Sequence, residues 1–255
     1  MININIKSMY RTLLIFLILF QCFSNVFVAQ KSQYFPNLKR VSVDADLGVF
    51  FNYEAKTTRL INKPCFELDK TDQRYCTKDS VYIEWTVVAK HKSKELEDSV
   101  FIIYSPGWST DPRFEIYSKN DDCLFSLNCL DFYINDQGTI YTAGHTNNVY
   151  NRKRKFQLHA DTAIEVKQPY NYVGFKGKTT KDIVLYSDTL KSEIVAKIPK
   201  NYKIEILLTL SSTNDFEIDR KYLVKTEFGL VGWYIEEEEY LSYPLFVEGL
   251  FYNGD

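Results

Sequence analysis

Asp131–Thr142, DFYINDQGTIYT, decides the fold class. Two short runs rich in Phe, Tyr, Ile and Thr flank Asn135-Asp136-Gln137-Gly138, a turn sequence that places Gly where a positive φ is needed. The stretch reads as a β-hairpin. Outward from it lie further short runs, apolar or alternating and ending in Gly, Pro, Asn or Asp: Arg40–Asn52, Val81–Lys90, Val100–Tyr104, Phe114–Tyr117, Ala163–Lys167 and Tyr172–Phe175. In VYIEWTVVAK the alternation puts Val81, Ile83, Trp85 and Val87 on one face and Tyr82, Glu84 and Thr86 on the other. Only Lys90–Ser99 suits a short helix, and its charge density suits an exposed loop equally. Aromatic residues make up 16% of the chain and Ala-rich helical stretches are missing, so the expected class is all-β.

A chain of 255 residues is long for one small domain, and two cores are expected. The first thirty residues hold Lys7 and Arg11 ahead of the uncharged apolar run Leu13–Phe20, then small and polar residues to Ala29. That layout is expected of a secretory signal peptide over residues 1–29, with a retained membrane anchor as the competing reading. Its removal takes away two basic residues and no acid, leaving 29 basic against 33 acidic residues, a formal charge of −4. Such a balance gives no reason to expect nucleic acid as a partner. The expected location is secreted or periplasmic, or membrane-anchored if the leader is retained.

Apart from Cys22, four cysteines remain in a chain expected to enter an oxidising compartment. Local disulfides Cys65–Cys76 and Cys123–Cys129 are expected, each contributing roughly 2–3 kcal/mol on the chain-entropy account. Spacings of 11 and 6 are not the paired Cys-x-x-Cys of a zinc ribbon, so no metal is expected.

A break between domains is expected in Gln168–Ile183, separating a β-rich domain over residues 30–169 from a second unit over 170–255. The second unit offers DIVLYSDTLKSEIVAKIPKNYKIEILL from Asp182, then KYLVKTEFGLVGWY from Lys221. With Ile198-Pro199-Lys200, Val224-Lys225-Thr226, Gly229 and Gly232-Trp233 in order, Asp182–Ile235 resembles the bacterial Src-homology-3-like domain. It departs from that pattern at Asn201, at Tyr186-Ser187-Asp188 and in the long loop Ser211–Asp219. The resemblance implies a small SH3-like β-barrel, with ligand contacts at Tyr186, Asp188 and Tyr222, and with Trp233 half-buried and structural. It also implies a peptide or cell-wall polymer as ligand.

The chemistry-bearing residues do not assemble into a recognisable catalytic motif. Cys123 with His145 or His159 is the available Cys/His pair, but Cys123 sits in NDDCLFSLNC, where anionic neighbours raise a thiol pKa. His91, His145 and His159 lack zinc-ligand spacing, and Ser105 and Ser109 lack a nucleophile elbow. Asn151–Lys155 is expected to be a solvated basic loop and Glu236–Glu239 a hydrated exit from the last strand. The expectation is therefore a non-catalytic binding or scaffold protein of the cell envelope, without cofactor. A cell-wall hydrolase using the second domain to hold substrate, and an extracellular inhibitor or immunity factor binding another envelope protein, stand as alternatives.

Overall fold

A computed structural model describes residues 30–68, 85–107, 109, 111–211, 220–237 and 245–254. Among these residues there are strands and one 3-10 turn but no α-helix, and no helix long and apolar enough to cross a membrane. The expected leader, Cys76, Val81–Glu84 and Glu238–Glu239 lie outside the described residues.

Three sheets organise the chain. The first runs, in spatial order, β1 (Gln30–Lys31), β2 (Lys39–Asp44), β3 (Val49–Tyr53), β9 (Asp131–Ile134), β10 (Thr139–Gly144), β11 (Arg152–Leu158) and β12 (Ala163–Glu165). The second is a meander of β4 (Thr58–Pro64), β5 (Thr86–His91), β6 (Val100–Ser105), β7 (Arg113–Tyr117) and β8 (Cys123–Asn128). The third has the order β13 (Tyr170–Lys178), β16 (Lys203–Leu210), β17 (Lys221–Thr226), β18 (Val231–Ile235), β14 (Ile183–Tyr186) and β15 (Ile194–Ile198). Neighbours are antiparallel except β3 and β9, which run parallel. A parallel pair needs a long crossover, and here the crossover is the whole five-stranded sheet.

The Asn135–Gly138 turn closes as its chemistry predicts. Gly138 takes φ +72°, its N–H donates to the Asn135 carbonyl at 3.1 Å, and the Asn135 carboxamide oxygen accepts from the Gln137 and Thr139 amides. The inward faces of the first two sheets then interlock through aromatic rings. Phe114 of β7 lies 5.0 Å from Phe132 of β9, and Phe125 of β8 meets Phe156 of β11 edge-on at 5.1 Å. Such pairs contribute about 0.5–1.5 kcal/mol beyond their burial.

Several expectations are corrected. Arg40–Asn52 is two strands, because Asp44 Oδ1 accepts from the amides of Asp46 and Leu47 and Gly48 turns at φ +66°. Of the two readings of Lys90–Ser99 the loop holds: Lys90 and His91 finish β5, and the residues after them form turns and bends. The supposed basic loop is strand β11, hydrogen-bonded between β10 and β12. Within Gln168–Ile183 the chain forms the nine-residue strand β13, which begins the third sheet.

Cys123 and Cys129 are both free thiols. They stand at the start and just past the end of β8, six residues of extended chain apart, roughly 20 Å. A disulfide requires Cα atoms within about 7 Å, so the short spacing that suggested a closed loop instead forbids the bond. Cys65 is disulfide-bonded, and its expected partner Cys76 lies outside the described residues.

The third sheet does not close into a barrel. Its apolar face, which includes Leu185, Ile206, Tyr222, Val224 and Tyr234, is covered instead by the chain end at Leu245–Leu250 and by Val149 and Tyr150. Thr180 anchors that end: its N–H donates to the Phe246 carbonyl at 3.0 Å and its hydroxyl to the Leu245 carbonyl at 2.5 Å.

Candidate functional site

The opposite face of the six-stranded sheet carries a continuous apolar row. Tyr172 stands across from Leu208, Leu208 from Leu223, Leu223 from Trp233, Trp233 from Tyr186, and Tyr186 from Ile194. One residue comes from each strand, so the row crosses the sheet at right angles to the chain direction. Five inter-strand spacings give it a length of about 24 Å. Tyr172 and Ile194 at its ends are 65% and 56% exposed, and the four residues between are half-buried.

Two bulges make this row. On β16 the register shifts between Ile206 and Leu208, which turns Leu208 outward although Ile206, two residues earlier, is fully buried. On β13 the shift falls between Tyr172 and Phe175, where Gly174 takes φ +64°. A Cβ at Gly174 would meet the Tyr172 ring at 2.6 Å, so glycine there lets the tyrosine lie flat along its strand.

Lysines border the row. Lys176, Glu205, Lys225 and Val231 form the adjacent cross-strand line on one side, and Lys221 stands across from Ile235 on the other. The Lys191 ammonium, paired with Glu237, lies 5.9 Å from the Tyr186 ring, and that of Lys153 lies 5.8 Å from Tyr172 at the other end of the row. Lys176 pairs with Glu205 at 3.8 Å and Lys203 with Glu227 at 3.5 Å, exposed pairs that hold little energy.

The three ligand residues expected from the sequence have different fates. Tyr186 is in the row. Asp188 accepts from the amides of Leu190 and Ser192 and thereby shapes the loop after β14; its hydrogen bonds from Ser192 hold its carboxyl below the usual range. Tyr222 points to the opposite face, is 4% exposed, and packs 5.1 Å from Phe246. Trp233 is half-buried, as expected, and stands in the middle of the row. Tyr172, Leu208, Leu223 and Ile194 were not anticipated, because plain alternation places Leu208 inside with Ile206.

The other reactive groups are tied into structure. Burial pushes the Cys123 thiol up, with Glu115 adding to it, and its Sγ donates to the Phe125 carbonyl. His145 Nε2 lies 3.0 Å from the Phe251 carbonyl oxygen, and His91 is buried with Nδ1 2.8 Å from the Thr58 hydroxyl. Ser105 Oγ accepts from the Gly107 amide. Glu236 pairs with Lys181 at 3.3 Å and accepts from the Tyr234 hydroxyl, so it is part of the fold rather than a hydrated exit. Among the described residues no cluster of three or more His, Cys, Asp or Glu is placed to hold a metal ion. Comparison with protein-family models, curated proteins and solved structures finds no match to this chain.

Proposed function

We propose that the chain is a non-catalytic binding protein of the cell envelope, exported by its N-terminal segment, and that its third sheet docks an extended acidic peptide across the Tyr172–Ile194 row. The observation that carries this reading is the row itself: six apolar residues, one per strand, on an outward face bordered by lysines. Its direction matters. A peptide adding to a sheet edge runs along the strands, whereas this row suits a ligand lying across them, docked by side chains. Half of its members, Leu208, Leu223 and Ile194, are aliphatic, which suits apolar peptide side chains better than sugar rings, whose flat faces stack on aromatics. The bordering lysines favour acidic residues and set association rate and register. The resemblance of Asp182–Ile235 to bacterial Src-homology-3-like domains and the leader-like first thirty residues support the same reading.

The test is fluorescence anisotropy with labelled peptides in which Glu alternates with Leu or Pro, beside co-sedimentation with purified cell-wall sacculi. Binding of the acidic peptides that falls about tenfold in Tyr172→Ser and in Tyr186→Ser, with unfolding unchanged, supports the proposal. Indifference to the peptides, or retention on sacculi that neither substitution weakens, sinks it.

A further inference from the structure

The sandwich formed by the first two sheets opens at one end into a cavity of about 560 Å³ lined by three arginines. Along the inward face of β11 the residues alternate Leu158, Phe156, Arg154, Arg152, so the strand passes from apolar core to two guanidinium groups. β10 makes the same transition from Ile140 to Thr142 and Gly144. From the facing sheet Arg113 of β7 joins them, and among the described residues no Asp or Glu lines the cavity. Gly144 lets the wall close: a Cβ there would meet the Leu130 amide nitrogen at 2.8 Å.

Two of the guanidinium groups, those of Arg154 and Arg113, are held by partners within the protein. Arg154 donates through Nε and Nη2 to the two carboxylate oxygens of Glu165 at 2.8 and 2.6 Å, and its side chain is only 9% exposed. Arg113 donates through Nε to Asn128 Oδ1 at 3.0 Å and stands 3.8 Å from Glu115. The Nε–Nη2 edge of Arg154 is taken up by Glu165 and Arg113 Nε by Asn128, so an anion is met by the remaining N–H donors of the guanidinium groups. Around the arginines stand neutral hydrogen-bonding side chains, Ser126, Asn128, Thr142, Thr146 and Asn148, suited to hydroxyl groups. The chain end completes the wall: Tyr252 lines the cavity while Asn147 and Asn253 are joined backbone to backbone.

We propose that this cavity binds an acidic sugar, a polyhydroxylated molecule carrying one carboxylate or phosphate, with Arg113, Arg152 and Arg154 meeting the anion and the Ser, Thr and Asn side chains meeting the hydroxyls. The volume falls within the range of small-molecule pockets and exceeds what a bare inorganic anion fills. Cys129, a buried free thiol in the cavity wall, supplies a reporter. This site belongs to the first two sheets and stands or falls independently of the apolar row on the third.

The experiment is isothermal titration of the full mature chain with glucuronate, glucose 6-phosphate, inorganic phosphate and glucose as separate arms. The expected result is saturable 1:1 binding of glucuronate or glucose 6-phosphate, about tenfold tighter than inorganic phosphate or glucose, and weakened about tenfold by Arg152→Gln and by Arg113→Gln. The glucuronate and glucose 6-phosphate arms distinguish the two anion types. In a Cys123→Ser background the bound acidic sugar slows modification of the Cys129 thiol, a reading that needs no arginine variant to fold. No saturable binding at millimolar concentration overturns the proposal. So does glucose or phosphate alone binding as tightly as the acidic sugars, binding indifferent to both arginine substitutions, or a Cys129 thiol that stays equally reactive.

Discussion

Phe246 lies 4.2 Å, centroid to centroid, from Tyr234 and 5.1 Å from Tyr222, so the chain end fills the concave side of an unclosed sheet. Because the ring is 1% exposed, Phe246→Ala leaves a cavity and uncovers the sheet, and should cost about 3–5 kcal/mol. Chemical denaturation measures it. A loss well under 1 kcal/mol would mean that the sheet holds its own face without the chain end.

The cysteines give a second test. In the native protein Cys123 should react slowly with thiol reagents, faster as pH rises, because burial and Glu115 hold its thiol above the usual range. Cys129, 2% exposed in the cavity wall and raised further by burial and by Asp131, should react more slowly still. Two fast thiols in the native state, or none after unfolding under non-reducing conditions, would contradict the arrangement along β8.

His91 makes stability pH-dependent. Burial, partly offset by Asp136, holds its imidazole down to about 4 against the ordinary 6.5. Between these values the unfolded chain binds a proton that the folded chain does not, so stability falls as pH falls from about 6.5 towards 4, and this His91-linked decline levels off below. The contribution is on the order of 3 kcal/mol. Denaturation midpoints across that range should drop in the wild type and drop less in His91→Gln; parallel curves would remove His91 as the cause.

Legibility from sequence followed the locality of the cause. The Asp131–Gly144 hairpin was legible because Asn135 and Gly138 write the turn within four residues. The start of β11 was hidden because Arg152 and Arg154 face inward while Lys153 and Lys155 face outward, so the alternation over its first four residues carries no apolar signal. Of the apolar row, Tyr186 was anticipated through family resemblance, but the bulge beyond Ile206 that brings Leu208 beside Leu223 depends on three strands pairing at once. The cover supplied by Leu245–Leu250 is likewise tertiary: nothing local says that a short apolar end will lie on a sheet begun 75 residues earlier at Tyr170.

The Arg154–Glu165 fork gives the last prediction. Glu165→Gln removes the counter-charge from a guanidinium that is mostly out of solvent, and breaking such a pair costs more than the pair itself contributes, about 2–4 kcal/mol at this partial exposure. Replacing both partners, Arg154→Met with Glu165→Leu, should recover most of that loss, because it leaves no uncompensated charge. The comparison separates two roles for Arg154. If the double variant is as stable as the wild type yet no longer binds the acidic sugar, the arginine is kept in the cavity wall for its ligand. If the single substitution is silent, the fork is not what holds Arg154 in place, and the rigid geometry inferred for the cavity fails with it.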